Sequence, residues 1–147
     1  MTSTSGSCLC GAVRFVAKGP SLFCAHCHCA WCRKAHGAAF VTWIGYPDDA
    51  VELTDANDAL VWHRSSEQSR RAFCGTCGTT LFYASILCPG ELHVARASID
   101  GPVDKEPSAH IFVEHAVSWF RFDDALPRVL GSHGGLAKFG AVPPRDA

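Results

Sequence analysis

At 147 residues, 48% of them hydrophobic and 18% charged, the chain is long enough to bury one core and too apolar to stay disordered. The formal charge is −1, and thirteen basic and fourteen acidic residues are scattered along the chain. That balance argues against a protein built around nucleic-acid phosphates or an anionic membrane surface.

In chain order, the polar start Met1-Thr-Ser-Thr-Ser-Gly6 has neither the basic residues nor the apolar run of a signal peptide. No apolar stretch approaches bilayer-spanning length, so the expected location is the cytoplasm, where thiols stay reduced. The first strand signal is Val13–Val16, where Val13 and Phe15 alternate with Arg14 and Val16 after Gly11. One helical turn is predicted around Cys29–His36, closed by Gly37. Phe40–Ile44 reads as a strand with Val41 and Trp43 facing away from Phe40 and Ile44. Further strand signals lie at Leu60–His63, Thr80–Ala84, Leu92–Ala97 and Ile111–Val113. Turns at Tyr46-Pro-Asp-Asp49 and Asp100-Gly-Pro102 punctuate them. No long amphipathic repeat and no βαβ rhythm occur, so a β-rich fold is expected. The tail from Gly131, with its glycines and prolines, is expected to be loosely structured.

Nine cysteines dominate the chemistry. An odd number arranged in close pairs fits metal ligation better than a disulfide framework. Cys8-Leu-Cys10-Gly11 and Cys74-Gly-Thr-Cys77-Gly78 each offer two sulfurs followed by a glycine that lets the chain turn back. Together they supply four ligands, a filled and therefore structural zinc site joining segments more than sixty residues apart. A second group, Cys27, Cys29 and Cys32, puts three sulfurs into one tight turn. Three ligands with an open fourth position is the arrangement of a catalytic zinc. Cys24, His26, His28 or His36 stand near enough in sequence to close that position instead. Arg33 and Lys34, beside the group, can hold thiolates or attract an anionic substrate.

The ordered segments Gly6–Phe15, Cys27–Lys34 with Gly37–Phe40, Arg71–Leu81, and His110–Glu114 before Trp119 resemble the glutathione-dependent formaldehyde-activating enzyme family. That family includes centromere protein V-like proteins, and the resemblance runs from about Ser7 to Leu130. It implies one such domain over 1–147, with a β-tent zinc fold of several small coiled antiparallel sheets and short helical turns. It also implies two zinc ions. Cys8, Cys10, Cys74 and Cys77 would hold a structural one, and Cys27, Cys29 and Cys32 the proposed catalytic one.

The implied activity is carbon–sulfur lyase chemistry on S-(hydroxymethyl)glutathione, the adduct of glutathione and formaldehyde. Three thiolates make a metal electron-rich, which suits delivery of a soft sulfur ligand. Arg33 or Lys34 would then meet a glutathione carboxylate. Three other functions compete: a non-enzymatic zinc module that binds another protein, a nucleic-acid binder, and a methionine-sulfoxide-type reductase using Cys24 or Cys88. The scattered basic residues argue against the second of these.

Overall fold

The computed structural model describes residues 2–131. The expectation for the tail beyond Gly131 lies outside the described residues. In chain order the elements are β1 (Ser3–Ser7), β2 (Arg14–Lys18), β3 (Phe23–Cys27), α1 (Ala30–His36), β4 (Val41–Pro47) and β5 (Val51–Thr54). Then come β6 (Leu60–Arg64), β7 (Ser69–Cys74), β8 (Thr80–Ser85), β9 (Glu91–Ala95), β10 (Ile99–Asp100), β11 (His110–Ile111) and β12 (Arg128–Val129). Among the described residues the architecture is mainly β with one short α-helix, as expected.

The strands form two sheets. One has four strands in the order β10-β1-β2-β5, and the other has eight in the order β12-β11-β3-β4-β9-β8-β7-β6. Pairing is antiparallel throughout except at β11, which lies parallel to both β3 and β12. Each predicted strand coincides with an observed one, its ends within three residues of those expected. Among the strands not predicted, β1 is a run of serine, threonine and glycine with no apolar alternation. β3 and β7 are interrupted by cysteine, histidine or arginine.

Alternation along the strands decides what each face buries. In β2, Phe15 and Ala17 are buried while Arg14 and Lys18 are exposed. In β4 both faces are covered: Ile44 and Tyr46 join a cluster with Phe15, Leu81, Phe82 and Val94. Val41 and Trp43 join a second cluster with Phe23, Cys27, Cys32 and Ile111. The split of β4 between two faces is the one read from its sequence. The first cluster draws on both sheets, and burying a side chain the size of Phe82 within it contributes about 3 kcal/mol. The second lies on the other face of the large sheet. There Phe23 covers Gly45, where any side chain would collide with its ring. Among the described residues no helix is long and apolar enough to cross a membrane.

Candidate metal centres and cavity

Cys8 and Cys10 sit in the turn between β1 and β2, Cys74 ends β7, and Cys77 lies in the turn between β7 and β8. Gly11 and Gly78 both have left-handed backbone, with φ of 78° and 81°. Their amides close the two turns onto the carbonyls of Cys8, at 3.1 Å, and Cys74, at 2.7 Å. All four sulfurs lie within 4.8 Å of one another. Cys10 Sγ is 3.6 Å from that of Cys8 and 3.8 Å from that of Cys74. Sulfurs bound to one tetrahedral ion at about 2.3 Å stand about 3.8 Å apart, so the set fits zinc.

Thr79 joins the two turns: its hydroxyl accepts the Leu9 N–H at 3.0 Å and stands 3.1 Å from Cys77 Sγ. That hydroxyl and neighbouring amides lower the Cys77 thiol to about 5. Sequence reasoning missed Thr79, although its place directly after Cys77-Gly78 was a usable signal.

The second group is built where β3 runs into α1. Cys27 ends the strand, Cys29 caps the helix and Cys32 lies in its first turn. The Arg33 N–H donates to the Cys29 carbonyl at 3.0 Å, and Gly37 stops the helix in a left-handed conformation. Cys27 and Cys32 place their sulfurs 3.6 Å apart, again close to a tetrahedral edge. The full trio is looser than the first set and does not fall within 4.8 Å at every pair.

All three line a cavity of about 350 Å³ walled by Trp31, Trp43, Tyr83 and Phe112 and rimmed by residues 66–69. Arg33 and Lys34, on the same helix, are not among its lining residues. The cation that does line it is Arg71 on β7, only 7% exposed. Its Nη2 donates to Cys32 Sγ at 3.5 Å, its guanidinium lies over the Tyr83 ring, and Nη1 has no hydrogen-bond partner. Hydrogen bonds from Cys27 and Cys29, with the Arg71 charge, hold the Cys32 thiol well below its ordinary range. Burial works against the Arg71 charge, but the sulfur of Cys32 raises its pKa on balance. Nothing in the sequence pairs Arg71 with a residue thirty-nine positions away.

Of the four residues that could close the second group, Cys24 and His26 alternate with Cys27 along β3, His28 follows the strand and His36 ends α1. Cys24 points to the other face of β3 and packs with Ile44 and Tyr46. Burial there raises its thiol to about 11. His26 Nδ1 is bonded to the Thr42 hydroxyl at 2.7 Å. His36 rests edge-on against Trp43, its Nε2 buried without a partner.

His28 belongs to a buried chain: its Nε2 is 2.8 Å from His110 Nδ1, and His110 Nε2 is 2.9 Å from Asp124. A carboxylate only accepts, so His110 carries its proton on Nε2 and accepts the His28 N–H. The turn holding Cys27 and Cys29 is thereby tied to β11 and to the loop before β12.

The chain is similar to several known proteins. The family model described as glutathione-dependent formaldehyde-activating enzyme matches residues 3–115. A Halomonas elongata protein whose name assigns it to that family is 29% identical over 133 residues, covering 80% of each chain. A Schizosaccharomyces pombe protein named as an uncharacterized lyase is 34% identical over 91 residues, 57% of this chain and 59% of its own. A crystal structure of a Rhodobacter sphaeroides protein shares the fold at a TM-score of 0.57 and 22% identity. It covers 68% of this chain and 91% of its own.

Proposed function

Because the chain belongs to the glutathione-dependent formaldehyde-activating enzyme family, we propose that it is a zinc-dependent carbon–sulfur lyase. Its substrate is a glutathione adduct of an aldehyde, such as S-(hydroxymethyl)glutathione. The observation that carries this reading is the meeting of three cysteines and one buried arginine in a single aromatic cavity. The lyase name of the Schizosaccharomyces pombe relative agrees in reaction class.

Two zinc sites are assigned: a closed one on Cys8, Cys10, Cys74 and Cys77, and an open one on Cys27, Cys29 and Cys32. Zinc held at the open site would supply a Lewis acid that favours thiolate over thiol. Cleavage of the adduct breaks its carbon–sulfur bond and leaves the electron pair on sulfur. The hydroxyl loses its proton as the carbonyl forms, and one proton returns to the sulfur or to water.

The chain's own residues orient and shield that exchange. Arg71 donates to Cys32 through one nitrogen and keeps Nη1 for an anionic group of the substrate. Trp31, Trp43, Tyr83 and Phe112 exclude water, which strengthens every charge contact inside. The polar rim, Ser66 to Ser69, offers hydrogen bonds to a peptide-like ligand.

The test is exchange between free formaldehyde and its glutathione adduct, followed by magnetisation-transfer NMR with the uncatalysed rate subtracted at each pH. The wild-type protein should accelerate exchange and Cys29→Ser should not. In cobalt-substituted protein, glutathione should intensify and shift the thiolate-to-metal band, while S-methylglutathione should not. An unresponsive band together with an unchanged exchange rate would refute the lyase reading and leave a zinc-binding interaction module.

A further inference from the structure

We propose that Cys88, Glu91 and His93 form a third metal site, separate from both cysteine clusters and suited to a borderline divalent ion such as zinc. One ligand atom from each residue lies within 4.8 Å of the other two. Local structure brings them together. Cys88-Pro-Gly-Glu91 is a tight turn in which the Glu91 N–H donates to the Cys88 carbonyl at 3.3 Å. Proline at its second position and Gly90 at φ 76° are what a type II turn requires. The Asp48 N–H donates to the Gly90 carbonyl at 2.9 Å and fixes the turn against the end of β4. Glu91 and His93, two apart on β9, share a face of that strand. His93 sits between Gly45 of β4 and Tyr83 of β8, so its backbone is held on both sides.

The donors decide the ion. One thiolate, one imidazole and one carboxylate suit zinc or cobalt, whereas magnesium and calcium take oxygen ligands. Three protein ligands leave a fourth position for water or a small anion. His93 Nε2 and the Glu91 carboxylate are 2.8 Å apart, the separation of a hydrogen bond. Ligands about 2.1 Å from a tetrahedral ion stand about 3.4 Å apart, so one group must move by about half an ångström. Glu91, with 23% of its side chain exposed against 4% for His93, is the one free to do so. Cys88 and Glu91 line an open groove that gives an ion its entry path, while His93 lines the aromatic cavity beside Phe23 and Tyr83. An ion here therefore fixes one wall of that cavity.

The experiment counts zinc per chain after equilibrium dialysis, in full-length protein with folding checked by circular dichroism. Wild type should hold one ion more than Cys88→Ser and one more than Glu91→Gln, while Cys29→Ser should keep that ion. Cobalt in place of zinc should show a thiolate band that decreases in Cys88→Ser. Equal zinc counts in wild type and the folded variants would overturn the site and leave a His–Glu ion pair beside a buried cysteine. Should Cys88→Ser fail to fold, Glu91→Gln decides alone, because it keeps the thiol and the shape of the side chain. Formaldehyde exchange by the wild-type sample reports on the lyase reading independently.

Discussion

Loss of Arg71 and loss of Thr79 should separate chemistry from scaffold. Arg71 is buried in the cavity wall with one nitrogen on Cys32 and another without a partner. A charge-assisted hydrogen bond contributes about 1.5–3 kcal/mol, or about 10- to 150-fold in an equilibrium. Arg71→Met should therefore lower kcat/KM for formaldehyde exchange by about that factor. Arg71→Lys should recover part of the loss, since it keeps the charge without the two-pronged geometry. A full-rate Arg71→Met enzyme would remove the residue from the substrate site. Thr79 tests the other centre, because its hydroxyl meets both the Leu9 amide and the Cys77 sulfur. Thr79→Val should speed removal of zinc by a chelator and lower the melting temperature by a few degrees, with Thr79→Ser restoring both. Exchange kinetics at saturating zinc should change little.

Strands set where these groups meet, and the chain running through β11 to β12 gives that level its own prediction. Asp124 accepts from His110 Nε2 and from Arg128 Nη1 at 3.0 Å. The His110 bond, with the Leu126 amide and the Arg128 charge, lowers its carboxyl to about 2. A depressed carboxylate pKa adds stability above the unfolded value of about 4, lost as pH falls toward about 2. Asp124→Asn should therefore unfold at lower urea than wild type at pH 7, and the gap between the two should shrink below pH 4. A gap that stays constant with pH would deny the carboxylate this role. The sequence made β2, β4, β6, β8 and β9 legible because their apolar residues alternate or run together. It also made the glycine-stopped helix legible. β3 and β7 were not, because cysteine, histidine and arginine interrupt their apolar pattern, and some of these are the residues the sites use: Cys27 in one, Arg71 and Cys74 in the other. Pairing information was absent too. His28, His110 and Asp124 come together only because β11 docks parallel to β3, and no local pattern encodes a partner eighty-two residues away.

Across the whole molecule, the two cysteine groups occupy different mechanical positions. Cys8 and Cys10 belong to the hairpin of the small sheet, and Cys74 and Cys77 to a hairpin of the large one. A metal there bridges the sheets across sixty-four residues of chain, between Cys10 and Cys74. Closing such a loop removes about 4 kcal/mol of chain entropy from the unfolded state, a large share of what holds a chain this size together. Cys27, Cys29 and Cys32 span a single turn, so a metal on them closes almost no loop. The consequences of losing each metal should differ in kind. Cys10→Ser should lose one zinc and either fail to accumulate as soluble protein or melt at least ten degrees lower. β7, anchored through Cys74, also carries Arg71, so whatever fraction stays folded should lose exchange activity as well. Cys29→Ser should lose one zinc and all activity, yet melt within a few degrees of wild type and keep its circular dichroism. Calorimetry with zinc counting on both variants decides the matter. A Cys29→Ser protein as unstable as Cys10→Ser would make the second centre a structural one, and with it the cavity would lose its claim to an open metal position.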